Sequence, residues 1–223
     1  SFRLMFLRCE KFNAKAAAEM MVLHFEEKQC LFGSGEILAR EVLQSDLGPN
    51  ERIVLESGVM QIMNQRDAAG RMIFLVVTSK IIELMQANLT NFDDMVSHTS
   101  ANHALYRIVP FTLRTSNSSG FFKYRVMWYF CMASAREEES QKKGYIWLIM
   151  NLCDFKTPME LYRRAGLLHS AIPHRLAAGH FCYDDQTLHP YVAGFHLFIG
   201  EEFKIRIRIH FGTRDEIDRA LEA

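Results

Sequence analysis

The sequence lacks most of the features that mark a function outright. No apolar run approaches the ~20 residues needed to cross a bilayer. There is no GxxxxGK[ST], no GxGxxG after a strand pattern and no HExxH, so a nucleotide-cradling loop and a zincin helix both lack their anchors. Charge of one sign is missing too: 26 Lys and Arg balance 26 Asp and Glu, which argues against nucleic acid held by bulk charge. Cysteine is sparse, with five residues (Cys9, Cys30, Cys131, Cys153, Cys182), odd in number and without a CxxC pair. They read as reduced thiols of a cytoplasmic protein, with neither disulfides nor a zinc site expected. Internal repeats and low-complexity tracts are absent. The chain starts at Ser1 and stops within a helical pattern, TRDEIDRALEA, as an excised piece of a longer protein would.

What is present is apolar bulk. Hydrophobic residues make up 49% of the chain, including 17 Phe and 12 Met, enough for a large core. The same side chains also line adaptable apolar cavities. Asn13 is placed to cap a helix over AKAAAEMMVLHFEEKQCLF, ending before Gly33. GEILAREVLQ predicts a second helix and NERIVLES a turn or two more. The period then shifts: VMQIM and RMIFLVV read as strands joined by the turn NQRDAAG. Helical periodicity returns from Ser79 to Ala135, broken by Pro110 and TSNSSG.

YIWLIMNL, apolar throughout and preceded by Gly144, predicts a strand buried on both faces of a parallel sheet. Thr157 could cap PMELYRRAGLLHSA; a strand at LAAGHFCY and an apolar helix at LHPYVAGFHLFI follow. Thr213-Arg214-Asp215-Glu216 is a capping box for a last helix. The order predicts an α/β protein, with a small helical region over 1–57 and a mostly parallel sheet with crossover helices over 58–223.

Several chemical readings find little support. Gly33-Ser34-Gly35 hints at a nucleophile elbow but follows a helix and lacks the GxSxG frame. His169, His174, His180, His189 and His196 gather near Cys182, Asp184 and Asp185, at spacings that match no metal pattern. Asp184 or Asp185 could serve as a carboxylate at a strand's C-terminal end, or could simply end the strand. An enzyme working through this cluster has no nucleophile–base spacing or cofactor motif behind it, and no cofactor is expected.

FLRCEKFN, the Ala-rich helix and LHFEEKQCLFG resemble the N-terminal region of CRAL-TRIO proteins. GVMQIMNQRDAAGRMIFLVV is similar to that family's first strand pair, with Asp67, Gly70 and Arg71 in its Asp-x-x-Gly-Arg turn. GYIWLIMNLCDF, IPHRLAAGHFCYDD and YVAGFHLFIGEEFKIRIRIHFG resemble, in order, its central strand, its Pro-Glu-Arg segment with the next strand, and its gate helix with the strand after it. The resemblance implies a non-catalytic, monomeric module that holds one phospholipid, phosphoinositide or isoprenoid-type lipid in a gated apolar pocket. Such a module would work at anionic membrane surfaces as a peripheral protein. It places Tyr191, Phe195, Phe198 and Ile199 on the gate helix and Trp147 and Ile149 in the pocket wall. Periodicity alone leaves that helix equally open to a plain buried role.

Lys204 stands where phosphatidylinositol binders carry a Lys, and His174 where they carry a Glu. Lys204, Arg206, Arg208 and His174 are thus the head-group candidates. Residues 91–122 exceed what the family needs and read as an added helix near the pocket mouth or, in preference, a plain surface insertion. An alternative is a regulatory module of a larger signalling protein that docks on phosphoinositides at its surface. EFKIRIRIHF poses the choice directly: its alternation predicts a strand with Lys204, Arg206, Arg208 and His210 on one face, meeting either a lipid phosphate or carboxylates such as Asp215 and Glu216.

Overall fold

The structure is a computed structural model that describes residues 2–33, 35–77, 121–151, 168–190, 192–193 and 204–222. Four helices lead: α1 (Phe2–Cys9), α2 (Ala14–Phe32), α3 (Glu36–Ala39) and α4 (Pro49–Glu56). Asn13 Oδ1 accepts the Ala16 N–H at 3.2 Å, and Gly33 ends α2 at φ 81°, a left-handed conformation that suits glycine.

The helix expected over 35–44 breaks after Ala39. Arg40 turns extended, pairs with Asp46, and its carbonyl accepts from Lys28 Nζ at 2.5 Å, so tertiary partners override the local propensity. The Lys28 side chain is buried, and desolvation lowers its pKa.

β1 (Met60–Arg66) and β2 (Met72–Val77) form an antiparallel pair. Its turn closes where Asp67 accepts the Arg71 N–H at 2.6 Å and Gly70 takes φ 74°. After α5 (Phe121–Ser134) and α6 (Glu138–Lys143) come β3 (Tyr145–Asn151), β4 (Leu176–Tyr183), β5 (Ile207–Phe211) and α7 (Arg214–Glu222). The sheet order is β1-β2-β3-β4-β5, with every pair after the first parallel.

The mostly parallel α/β sheet predicted from the element order is therefore present. The alternating C-terminal strand is shorter than its pattern. Pairing with β4 begins where the Gly179 N–H meets the Arg206 carbonyl at 2.9 Å; Ile205 and Arg206 form a turn. Residues 78–120, nearly all of the 91–122 insertion, and the helix proposed after Thr157 as far as 167 lie outside the described residues.

The registers sort the side chains by face. Phe74 and Trp147, with Phe181 and Ile209 further along, share the face on which α5 and Leu168, Ala171 and Ile172 pack with Trp128. Leu75, Leu148, His180 and Arg208 form one row on the opposite face. There α7 lays Ile217 and Leu221 on Met150 and Cys182. Arg125 ties the leading helices to this core: it donates to Glu51 at 2.7 Å and to the Asp46 carbonyl, and lies over the Phe32 ring.

Candidate functional site

On the helix-covered face, β3 supplies Tyr145, Trp147 and Ile149 at alternate positions. Tyr145 hydroxyl shares a 2.6 Å hydrogen bond with His169 Nδ1, and Trp147 meets the His169 ring edge-on at 4.4 Å. His174 is buried against Tyr145, ring centroids 4.3 Å apart, and shares a 3.1 Å hydrogen bond with Ser134 Oγ. Burial holds His169 down to about 4 and His174 to about 3, so both are neutral at pH 7.

Ile149 is half-buried and Phe181 buried, yet on the edge strand Ile209 and Phe211 are 42% and 49% exposed. An apolar strip therefore runs from the closed interior out to an open edge. Over its start, Ile207 fills the space above Gly179: a Cβ there would lie 2.5 Å from Ile207 Cδ1.

The opposite face is basic. Arg71, His180, Arg206 and Arg208 line a depression of about 210 Å³ floored by Ala177 and Ala178, with Ile205 at its rim, 82% exposed. His180 Nδ1 and His210 Nε2 lie 2.9 Å apart with rings within 12° of parallel. Burial, then His210, Arg208 and Arg71, hold His180 down to about 4; burial and then Arg208 lower His210.

Arg206 donates to the Leu176 carbonyl at 3.0 Å, and Arg71 is ion-paired with Asp67. Neither Asp215 nor Glu216 neutralises Arg206 or Arg208. Glu216 caps α7, accepting from Thr213 N at 2.7 Å, and the partner of Arg214 is Asp218.

The sequence-derived head-group set is thus divided. Arg206 and Arg208 belong to the basic depression, whereas His174 packs among core rings beside Phe74 on the other side. Lys204 lies half-buried just before the turn into β5. Of the helix candidates, Tyr191, Phe195, Phe198 and Ile199 lie outside the described residues, as does Ser34.

No protein-family model matches the chain, and no curated protein matches it in sequence.

Among the described residues no group of three His, Cys, Asp or Glu side chains could hold a metal ion. Asp185 spends its carboxylate on a turn, accepting from Thr187 N and Oγ1 at 2.8 and 2.7 Å. Among the same residues no helix is long and apolar enough to cross a membrane. Sequence reasoning missed Arg71, read only as a turn residue, and offered His180 only as one of a loose histidine cluster. Counting alternation across β4 and β5 together would have put His180 beside Arg208.

Proposed function

We propose that the protein is a non-catalytic lipid-binding module of the CRAL-TRIO type. It holds one hydrophobic lipid against the helix-covered face of the sheet and exchanges it with membranes as a peripheral monomer. The observation that carries this reading is the apolar strip Trp147–Ile149–Phe181–Ile209–Phe211, closed at β3 and open at the β5 edge. Large apolar groups left open beside a well-packed core suit an apolar occupant. The family-like order of motifs and the match of its expected sheet class support the same conclusion.

Binding free energy comes from burying acyl or isoprenoid carbon, about 0.8 kcal/mol per CH₂. The head group is left to Lys204, because Arg206 and Arg208 line the depression on the other face. No proton transfer or nucleophile is required: the buried imidazoles act as packing and hydrogen-bonding groups.

The test is an organic extract of the purified protein, analysed by mass spectrometry for a stoichiometric lipid, joined to a vesicle-to-vesicle transfer assay. Ala193→Trp, placed at an exposed position of the return segment, is expected to slow transfer severalfold without unfolding the chain. A protein that stays empty with every vesicle composition offered does not have this function.

A further inference from the structure

We propose that the open face of the sheet carries a second, separate site, formed by Arg71, His180, Arg206 and Arg208, which binds a phosphate-type oxyanion and takes up a proton at the His180–His210 pair as it does so. The fold builds this site from three segments. The Asp67 turn delivers Arg71 at the start of β2, the middle of β4 delivers His180, and β5 sets Arg208 directly across the ladder from His180 with Arg206 two residues before. Alanines at 177 and 178 keep the floor low, which leaves the depression of about 210 Å³. At about 30 Å³ per water this is room for a tetrahedral oxyanion with part of its hydration.

The electrostatics select the sign of the ligand. Among the described residues neither Arg206 nor Arg208 has a carboxylate partner, and Asp67 offsets only Arg71. Arg206 spends one donor on the Leu176 carbonyl, which fixes the guanidinium and leaves other N–H groups for a ligand. Cations are repelled. An oxyanion instead gains charge-assisted hydrogen bonds from preplaced donors. The charged groups that act on the imidazoles are Arg208 and Arg71; Lys143, beside Gly70, is paired with Glu139, and Arg214 of α7 with Asp218.

The histidine pair gives the site its proton dependence. One imidazole donates to the other at 2.9 Å, and burial, with Arg208 and Arg71, opposes protonation of the pair. A bound dianion reverses that field. Binding then brings proton uptake, and by linkage the affinity rises as pH falls.

Sulfate is the probe of choice, because its charge does not change between about pH 6 and about pH 8, the span in which imidazole titrates. The full chain is titrated with sulfate while the imidazole NMR signals of His180 and His210 are followed. The expected result is saturable shifts with affinity at least about tenfold higher at pH ~6 than at pH ~8, an average uptake of about half a proton per site over that span. Arg206→Gln with Arg208→Gln weakens binding by about tenfold or more. His180→Gln with His210→Gln, read by calorimetry because the reporter rings are gone, lowers sulfate affinity at the lower pH to the level of the higher pH, so that the pH dependence disappears.

Absence of saturable shifts, or equal affinity at both pH values, overturns the proposal. Inorganic phosphate and phosphatidylcholine vesicles containing phosphatidic acid are then offered as competitors. Displacement by vesicles alone identifies a lipid head group, and displacement by phosphate identifies a soluble phosphorylated ligand; either result keeps the site. Because the depression lies across the sheet from the apolar strip, a protein that never carries lipid would still bind sulfate.

Discussion

His24, His169 and His174 are each enclosed by rings and backbone. His24 sits between Phe6 and Trp128 with Nδ1 3.0 Å from the Ala171 carbonyl. Desolvation favours the neutral imidazole, taking His24 and His169 down to about 4 and His174 to about 3. An unfolded histidine binds its proton near pH ~6.5. Between that value and about 4, the unfolded chain therefore holds protons that the folded chain does not. The stabilisation is complete above ~6.5 and is lost as pH falls through this window, by up to about 1.4 kcal/mol per pH unit for each imidazole. Urea unfolding midpoints measured from pH 8 downwards should drop steeply below ~6.5. A flat profile to pH ~4 would show that these side chains are not buried neutral. The sequence offered His174 as a head-group ligand and His169 as one of a possible metal cluster. Their burial depends on Tyr145, Phe74 and Ser134, which come from other segments, so spacing along the chain could not show it.

At the scale of elements, the segments with strong local signals formed as expected. Asn13 starts α2, and LAAGHFCY is β4 from end to end. Failures occurred where a partner decides. The helix after Gly35 stops because Lys28 and Asp46 hold Arg40 extended, and β5 starts only where β4 offers it a rung. The β3–β4 junction depends on one glycine. Gly144 takes φ 79°, and a Cβ there would stand 2.4 Å from the Arg175 carbonyl, the group that accepts from Tyr145 N at 3.0 Å. Gly144→Ala should therefore cost about 2 kcal/mol or more, from the left-handed backbone and the displaced carbonyl together. Chemical denaturation of the variant measures this, and an unchanged midpoint would mean that the junction relaxes freely.

For the molecule as a whole, the main asymmetry lies between the two sides of the sheet. The sequence showed a half-apolar, half-basic strand at its C-terminal end, but period two does not say which half meets the helices. Registers across four strands answer that, placing the apolar strip under the helices and the arginines on the open side. They also explain why the four head-group candidates could not all converge. On the open side, among the described residues, α7 covers the sheet's apolar end, with Ile217 and Leu221 over Met150 and Cys182. That makes the Cys182 thiol a built-in clock. Burial pushes its pKa up to about 11, so alkylation must wait until the terminal helix lifts. Labelling at rising denaturant separates two kinds of opening: a rate that hardly responds reports a local lift of one helix, and a rate that climbs with global unfolding reports the whole sheet. The expected result is the local regime, with Cys182 modified long before the equally enclosed Cys131, which lies beneath α5 on the other side.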